Sequence, residues 1–337
     1  MTKKRFSQPA PRSAWNLEQP GTSLRRRTLV LIFVLLALGL GLCFVRRGTS
    51  PGPPAIATTG FEPVIAAQID GALAEVRARP RSGSAWGKLG MVLQAHELVQ
   101  ARFCFEQAER FESSDARWPY LQALLPGLDN PSVAIAKLER AARLRPEQPD
   151  AVRLRLAQSL FEAGRWKEAE SHFKRLLQGN TNLAPAWLGL AALSHAGGQL
   201  DEASRRLQFC LTNAHTAKRA YTLLAQVERQ LGHTASADAA VHLLATLPGD
   251  QPWPDPFTEE AAQYRVGRQA WAEQAQQWLE QDRPGEAQRL AARLIKDYPE
   301  APEGWLLLGR LRLGQNDCAG AAQALRRHLQ LAPRSVN

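Results

Sequence analysis

Residues Gly164–Phe173 read GRWKEAESHF. Within ten positions stand a tryptophan, two glutamates and a histidine, and Glu168 and His172, four apart, share a face if the segment is helical. Two readings compete. In one, the pair is half of a metal or acid–base site. In the other, the segment opens an amphipathic helix whose apolar positions are Ala169, Phe173 and Leu176. The rest of the chain decides between them.

Ala169 heads a column of alanines: Ala101, Ala134, Ala169, Ala203, Ala237, Ala287 and Ala321. The spacing is about 34 residues throughout, except for a longer interval between Ala237 and Ala287. Four positions after each stands Phe105, Leu138, Phe173, Leu207, Val241, Ala291 or Leu325, and three further on Ala108, Ala141, Leu176, Cys210, Leu244, Leu294 or His328. One apolar helix face is thus written seven times. An upstream column holds Trp86, Trp118, Arg153, Trp187, Tyr221, Trp271 and Trp305, so five of the nine tryptophans fall in one register. Beside it runs a mostly small column, Gly90, Gln122, Ala157, Ala191, Ala225, Ala275 and Gly309, which predicts close helix approach. Gly164, Gly198 and Gly232 mark the turn between two helices. Pro146, Pro299 and Pro333 end the second helix, since proline cannot continue one.

The pattern resembles tetratricopeptide repeats, whose signature is W-x2-L-G-x2-Y, then A-x3-F, then P, in a unit of about 34 residues. WGKLGMVL at Trp86 and WLLLGRLR at Trp305 carry the first part without its tyrosine, and AESHF at Ala169 carries the second. The resemblance implies an all-α chain, a right-handed superhelix of about seven helix pairs. The expected organisation is a capping helix at 64–79, units one to five at 83–251, a junction at 252–267 and units six and seven at 268–335. In the capping helix Ile65, Ile69, Leu73 and Val76 line one face. Pro119 and Pro126 shorten or kink the first helix of unit two. Within the junction, Trp253-Pro254-Asp255-Pro256 breaks the preceding helix, and a long helix capped by Thr258 is predicted from there to Gln281.

The formal charge is +10 over 337 residues. Residues 1–27 carry seven basic residues against Glu18, and Arg46 and Arg47 add two more, so the body is nearly neutral and gives no electrostatic reason to bind nucleic acid. The stretch Thr28–Val45, TLVLIFVLLALGLGLCFV, is uncharged and reads as a transmembrane helix contacting the lipid bilayer. With residues 1–27 as a basic cytoplasmic tail and 46–63 as a Pro/Gly-rich linker, the positive-inside rule predicts a single-pass inner-membrane protein with an extracytoplasmic, periplasmic array. An uncleaved anchor fits better than the alternatives, a signal peptide cut near Ala55-Ile56-Ala57 or a lipobox at Cys43.

The family geometry implies that first helices line a groove, with Met91, Gln158, Phe161, His195, Gln226, Arg229, Gln276 and Arg310 facing a protein or peptide partner. No H-E-x-x-H, G-x-S-x-G, Walker or G-x-G-x-x-G motif occurs, and the cysteines Cys43, Cys104, Cys210 and Cys318 have no C-x-x-C spacing. No enzyme, cofactor or metal is expected. The expected function is a membrane-tethered scaffold. The alternatives are an accessory subunit or apoprotein-presenting chaperone of a complex resembling those of cytochrome c maturation and, less fitting, a glycan-processing enzyme. In this frame Glu168 and His172 fall on a variable, solvated face of a second helix.

Overall fold

In the computed structural model, residues 52–127, 130–146 and 149–332 are described. Among them are sixteen helices and no strand beyond an isolated Thr59–Phe61 bridge. Helix α1, Pro63–Ala78, precedes five helix pairs. These are α2 Gly83–Ala95 with α3 Ala101–Phe111, α4 Arg117–Ala123 with α5 Pro131–Leu144, α6 Asp150–Glu162 with α7 Trp166–Gly179, α8 Ala184–Ala196 with α9 Leu200–Leu207, and α10 Ala217–Gln230 with α11 Thr234–Thr246. The short α12, Pro256–Ala262, follows. Two more pairs close the series, α13 Arg268–Glu280 with α14 Pro284–Asp297 and α15 Pro302–Gly314 with α16 Cys318–Leu331.

Several pairs turn through a residue in the left-handed region. Gly164, Gly198 and Gly232 have φ of 75, 74 and 82°. Asp282 (56°) and Asn316 (61°) take the same place in the last two pairs, being residue types whose short polar side chains tolerate it. The columns explain the packing. Phe105 and Phe173 are buried in the core, and each fills the space above a glycine on a neighbouring first helix, that of its own pair for Phe105 and of the next pair for Phe173. A Cβ built on Gly90 would stand 2.7 Å from the Phe105 ring, and one on Gly189 would overlap that of Phe173. The indoles add a repeated polar bond. Nε1 of Trp86 donates to the Pro80 carbonyl at 2.9 Å, that of Trp187 to Thr181 at 2.8 Å and that of Trp305 to Pro299 at 3.0 Å. Each bond ties a first helix to the end of the preceding one.

The buried residues form three clusters: a large one from α1 through α8, a smaller one over α8 to α11, and a third over α13 to α15. The break between the last two falls at α11. Val241, which continues the Phe105 and Phe173 column, is 44% exposed. The chain leaves α11 for the junction instead of supplying the next first helix, so the column has nothing to pack on.

Several expectations change. The long helix from Thr258 to Gln281 is two helices, α12 and α13, separated at Gly267 with φ 109°. The cap is Asp255, not Thr258: its carboxylate accepts from the amides of Phe257 (3.1 Å) and Thr258 (3.3 Å). The localisation as a single-pass inner-membrane protein with an extracytoplasmic array is corrected. Among the described residues no helix is long and apolar enough to cross a membrane. The longest, α1, has 16 residues, about 24 Å against a hydrocarbon core of about 30 Å. Residues 28–45, read as a span, lie outside the described residues, as does Pro333.

Candidate functional site

The extra length of the interval between Ala237 and Ala287 does not loop into solvent. Residues 250–255, DQPWPD, form a strap across the first helices. At one end, Asp250 sits on the N-terminus of α10, where its carboxylate accepts from the amides of Lys218 (2.7 Å) and Arg219 (3.2 Å) and from Arg219 Nε (2.8 Å). Burial alone would raise this carboxyl. The Arg219 guanidinium and the two amides outweigh it and hold the group below its ordinary value. The Gln251 amide donates to the Ala214 carbonyl at 2.9 Å, and His215 Nδ1 lies 2.8 Å from the Pro252 carbonyl. The His215 ring meets Trp253 edge-on, with centroids 5.0 Å apart.

At the other end, the fully buried Tyr120 of α4 donates its hydroxyl to Asp255 at 2.6 Å and meets Phe257 edge-on. Burial and then that bond push the Tyr120 hydroxyl upward, so it stays a donor. Arg117 Nη1 donates to Glu260 of α12 at 2.6 Å while its other nitrogens clasp Asp115. Trp253, Phe257 and Tyr264 pack against the large core cluster, and α12 lies on α2 and α4.

Between the strap and helices α6 and α8 opens a cleft of about 530 Å³. Ala151, Leu154 and Pro185 line its apolar part, while Arg155, Gln158, Lys218 and Arg219 supply amide and cationic groups. Such a mixed lining suits backbone carbonyls and carboxylates better than a small apolar ligand.

Of the eight residues expected to face a partner, Gln158 lines this cleft. Phe161 is half-buried against the core, and His195 is half-buried. Gln226, Arg229, Gln276 and Arg310 are exposed on α10, α13 and α15, with Gln276 bonded to Glu280. Met91 is 2% exposed on α2, the helix against which α12 packs. The eight are therefore spread along the series, not gathered. Tyr120, His215, Arg219 and the strap carboxylates were not among them. The signal available was the two aspartates near Trp253 within the insertion.

The pair that first raised the question of chemistry separates. Glu168 is exposed and bound by Arg165 at 2.6 and 2.7 Å. His172 is not solvated as expected: it is half-buried, with Nδ1 3.2 Å from Nη1 of Arg153. Burial, then Arg153, lower its pKa. Among the described residues no group of three or more His, Cys, Asp or Glu side chains could hold a metal ion. The thiols of Cys104 and Cys210 are each pushed up to about 12 by burial.

Profiles of the tetratricopeptide repeat match residues 160–227, and residues 127–185 and 261–336, together just over half of the chain. No curated protein matches it. Similar solved structures include PilW, described as a type IV pilus biogenesis factor, at 19% identity over 55% of this chain and 93% of that one, with a TM-score of 0.42. A tetratricopeptide repeat protein of Parabacteroides merdae is 14% identical over 81% and 88% (TM-score 0.44). YrrB, described as having an unusual peptide-binding site, is 14% identical over 59% and 93% (TM-score 0.27). At these values the likeness does not extend to function.

Proposed function

Because the chain belongs to the tetratricopeptide repeat family, we propose that it is a protein-interaction scaffold whose first helices receive an extended peptide or protein segment. In this reading Gln158 and Phe161 make the central contacts. His195, Gln226, Arg229, Gln276 and Arg310 extend the surface along the array, and Met91 supports it from beneath. Units one to five and units six and seven act as two interaction blocks joined by the junction at 252–267.

What supports the reading is the cleft beside α6 and α8, about 530 Å³ and open on the first-helix side. Helix pairs that bury their faces only against neighbours leave one side continuous and free of core packing. On that side the chain places amide and guanidinium donors that match a peptide backbone.

The test is crosslinking and mass spectrometry of the full chain to identify the partner, followed by capture of that partner by variants. Gln158→Arg with Phe161→Asp should lower capture at least tenfold with helicity unchanged. Capture at the wild-type level would move the interface off the first helices.

A further inference from the structure

The first-helix face is already occupied by a peptide that belongs to the chain itself. The strap carries no helix or turn, and its backbone is extended at Asp255. Prolines at 252 and 254 stiffen it, which lowers the entropy lost on docking, as in polyproline ligands. Its contacts resemble those of a bound ligand more than those of a core segment. Gln251, Pro252, Pro254 and Pro256 are exposed, while the two carboxylates and Trp253 point onto the helices.

We propose that the face from Tyr120 to Arg219 is a docking surface for an extended acidic peptide with an aromatic residue between two carboxylates, and that the strap is its resident competitor. The proposal rests on the reading that first helices receive partners, and it names the partner's chemistry. Three groups define it. The N-terminus of α10 with Arg219 takes one carboxylate, His215 takes the aromatic ring, and the Tyr120 hydroxyl takes the second carboxylate. Cations in the cleft add complementarity: Arg155 and Lys218 line it beside the strap.

The strap leaves that cleft unfilled, so a partner of the same pattern with a further side chain that enters it gains contacts that the strap lacks. Joined to the chain, the strap competes at an effective concentration of about millimolar. A weak partner is thereby kept off, and one that fills the cleft displaces it. The linker for such movement is Leu247–Gly249, between α11 and Asp250, where Pro248 and Gly249 are exposed.

The experiment uses the full chain and a fluorescent peptide of residues 247–257, followed by anisotropy. The wild-type chain should bind it weakly. The strap-released variant Asp250→Asn, Trp253→Ala and Asp255→Asn should bind at least tenfold more tightly, and adding Arg219→Glu should remove the gain. A peptide with Asn at both aspartates, or with Ala for Trp253, should bind at least tenfold more weakly than the parent. If the released chain gains nothing, the proposal is overturned. If plain polyglutamate binds as well as the peptide, the assigned partner chemistry is overturned. Should the variant lose helicity, replacing residues 249–255 with a Gly/Ser segment of equal length, serine at 255 to cap α12, gives the same comparison. The two readings fail separately. Tightening on release with partner capture indifferent to Gln158 and Phe161 sinks the proposed function alone. No tightening with capture still dependent on them sinks this inference alone.

Discussion

Nη2 of Arg153 donates to the carbonyl of Pro146 at 2.6 Å, in the register where other pairs place a tryptophan whose Nε1 makes the corresponding bond. Arg153 is thus a substitute for the indole. Its aliphatic stem covers apolar surface and its head supplies the donor that ties α6 to the end of α5. Arg153→Ala removes both the stem's packing and the bond, which together should cost about 1–3 kcal/mol. Arg153→Trp restores packing and donor together and should lie within about 1.5 kcal/mol of wild type. Denaturant unfolding checks this. Equal destabilisation by the two substitutions would show that the shared bond is not what the position requires.

The same column logic separates core from edge. Gly189→Ala drives a Cβ into the Phe173 ring, so overpacking should cost about 1–3 kcal/mol. Phe173→Ala should cost about 3–5 kcal/mol. Val241→Ala, at the equivalent site of the fifth pair, should change stability by less than about 0.5 kcal/mol, because that residue is already 44% exposed. A large loss at Val241 in thermal unfolding would mean that α11 is covered in solution.

How much of this was legible in the sequence depends on how local its cause is. The pair register follows from the buried column through Ala169 and Phe173 and from Trp86 reaching Pro80, contacts between neighbours in the chain that repeat at fixed spacing. Counting columns recovers them. The bond between Tyr120 and Asp255 joins distant parts of the chain and occurs once, so no period marks it. The break at Gly267 was missed for a related reason. Helical spacing continues through it, and besides the glycine's positive φ, a Cβ there would stand 2.9 Å from Glu62 Oε2 and 3.0 Å from Ile65 Cδ1, at the far end of the described chain. Met91, 2% exposed, lies on α2, and the contact of α12 with that helix is one the repeat pattern does not contain.

Thiol reactivity should follow burial. Cys104 and Cys210 are buried, with pKa values pushed up to about 12, whereas Cys318 is exposed at the start of α16. Brief alkylation of the native chain at pH 8, with peptide mapping, should label Cys318 and spare Cys104 and Cys210 by at least a hundredfold in rate. Rapid labelling of Cys210 would show that the packing of α9 on α8 opens readily.

Acid should weaken the third pair through His172. Its surroundings are Arg153 and Arg175, which disfavour a proton, and Glu139 and Glu168, which favour one, with burial the largest influence. The folded pKa is therefore below the unfolded value of about 6.5. Below that value the unfolded chain binds the additional proton, so stability falls as pH drops from 7 through the folded pKa. His172→Gln keeps an acceptor for Arg153 but cannot be protonated. The fall in denaturant midpoint between pH 7 and pH 5 should be smaller in this variant. An identical fall would assign the acid sensitivity elsewhere, for example to His96, whose pKa burial also lowers.

Glu62 holds the last two pairs to the start of the array. Its Oε2 accepts from the Arg268 amide at 2.8 Å, at the N-terminus of α13, and from the Tyr298 hydroxyl at 2.6 Å, at the end of α14. Both donors converge on one carboxylate at a helix N-terminus, which favours negative charge. Burial, then this bond, push the Tyr298 hydroxyl upward, which keeps it protonated and donating. Glu62→Ala leaves the amide and the hydroxyl without that acceptor, while the core clusters keep their own contacts. Hydrogen exchange should therefore accelerate about tenfold or more at Arg268 and its neighbours in the first turn of α13, with α2 to α8 unchanged. Glu62→Gln, which retains an acceptor oxygen, should fall between the two. Acceleration throughout the chain would make Glu62 a determinant of global stability, and no acceleration at Arg268 would remove it as the clasp.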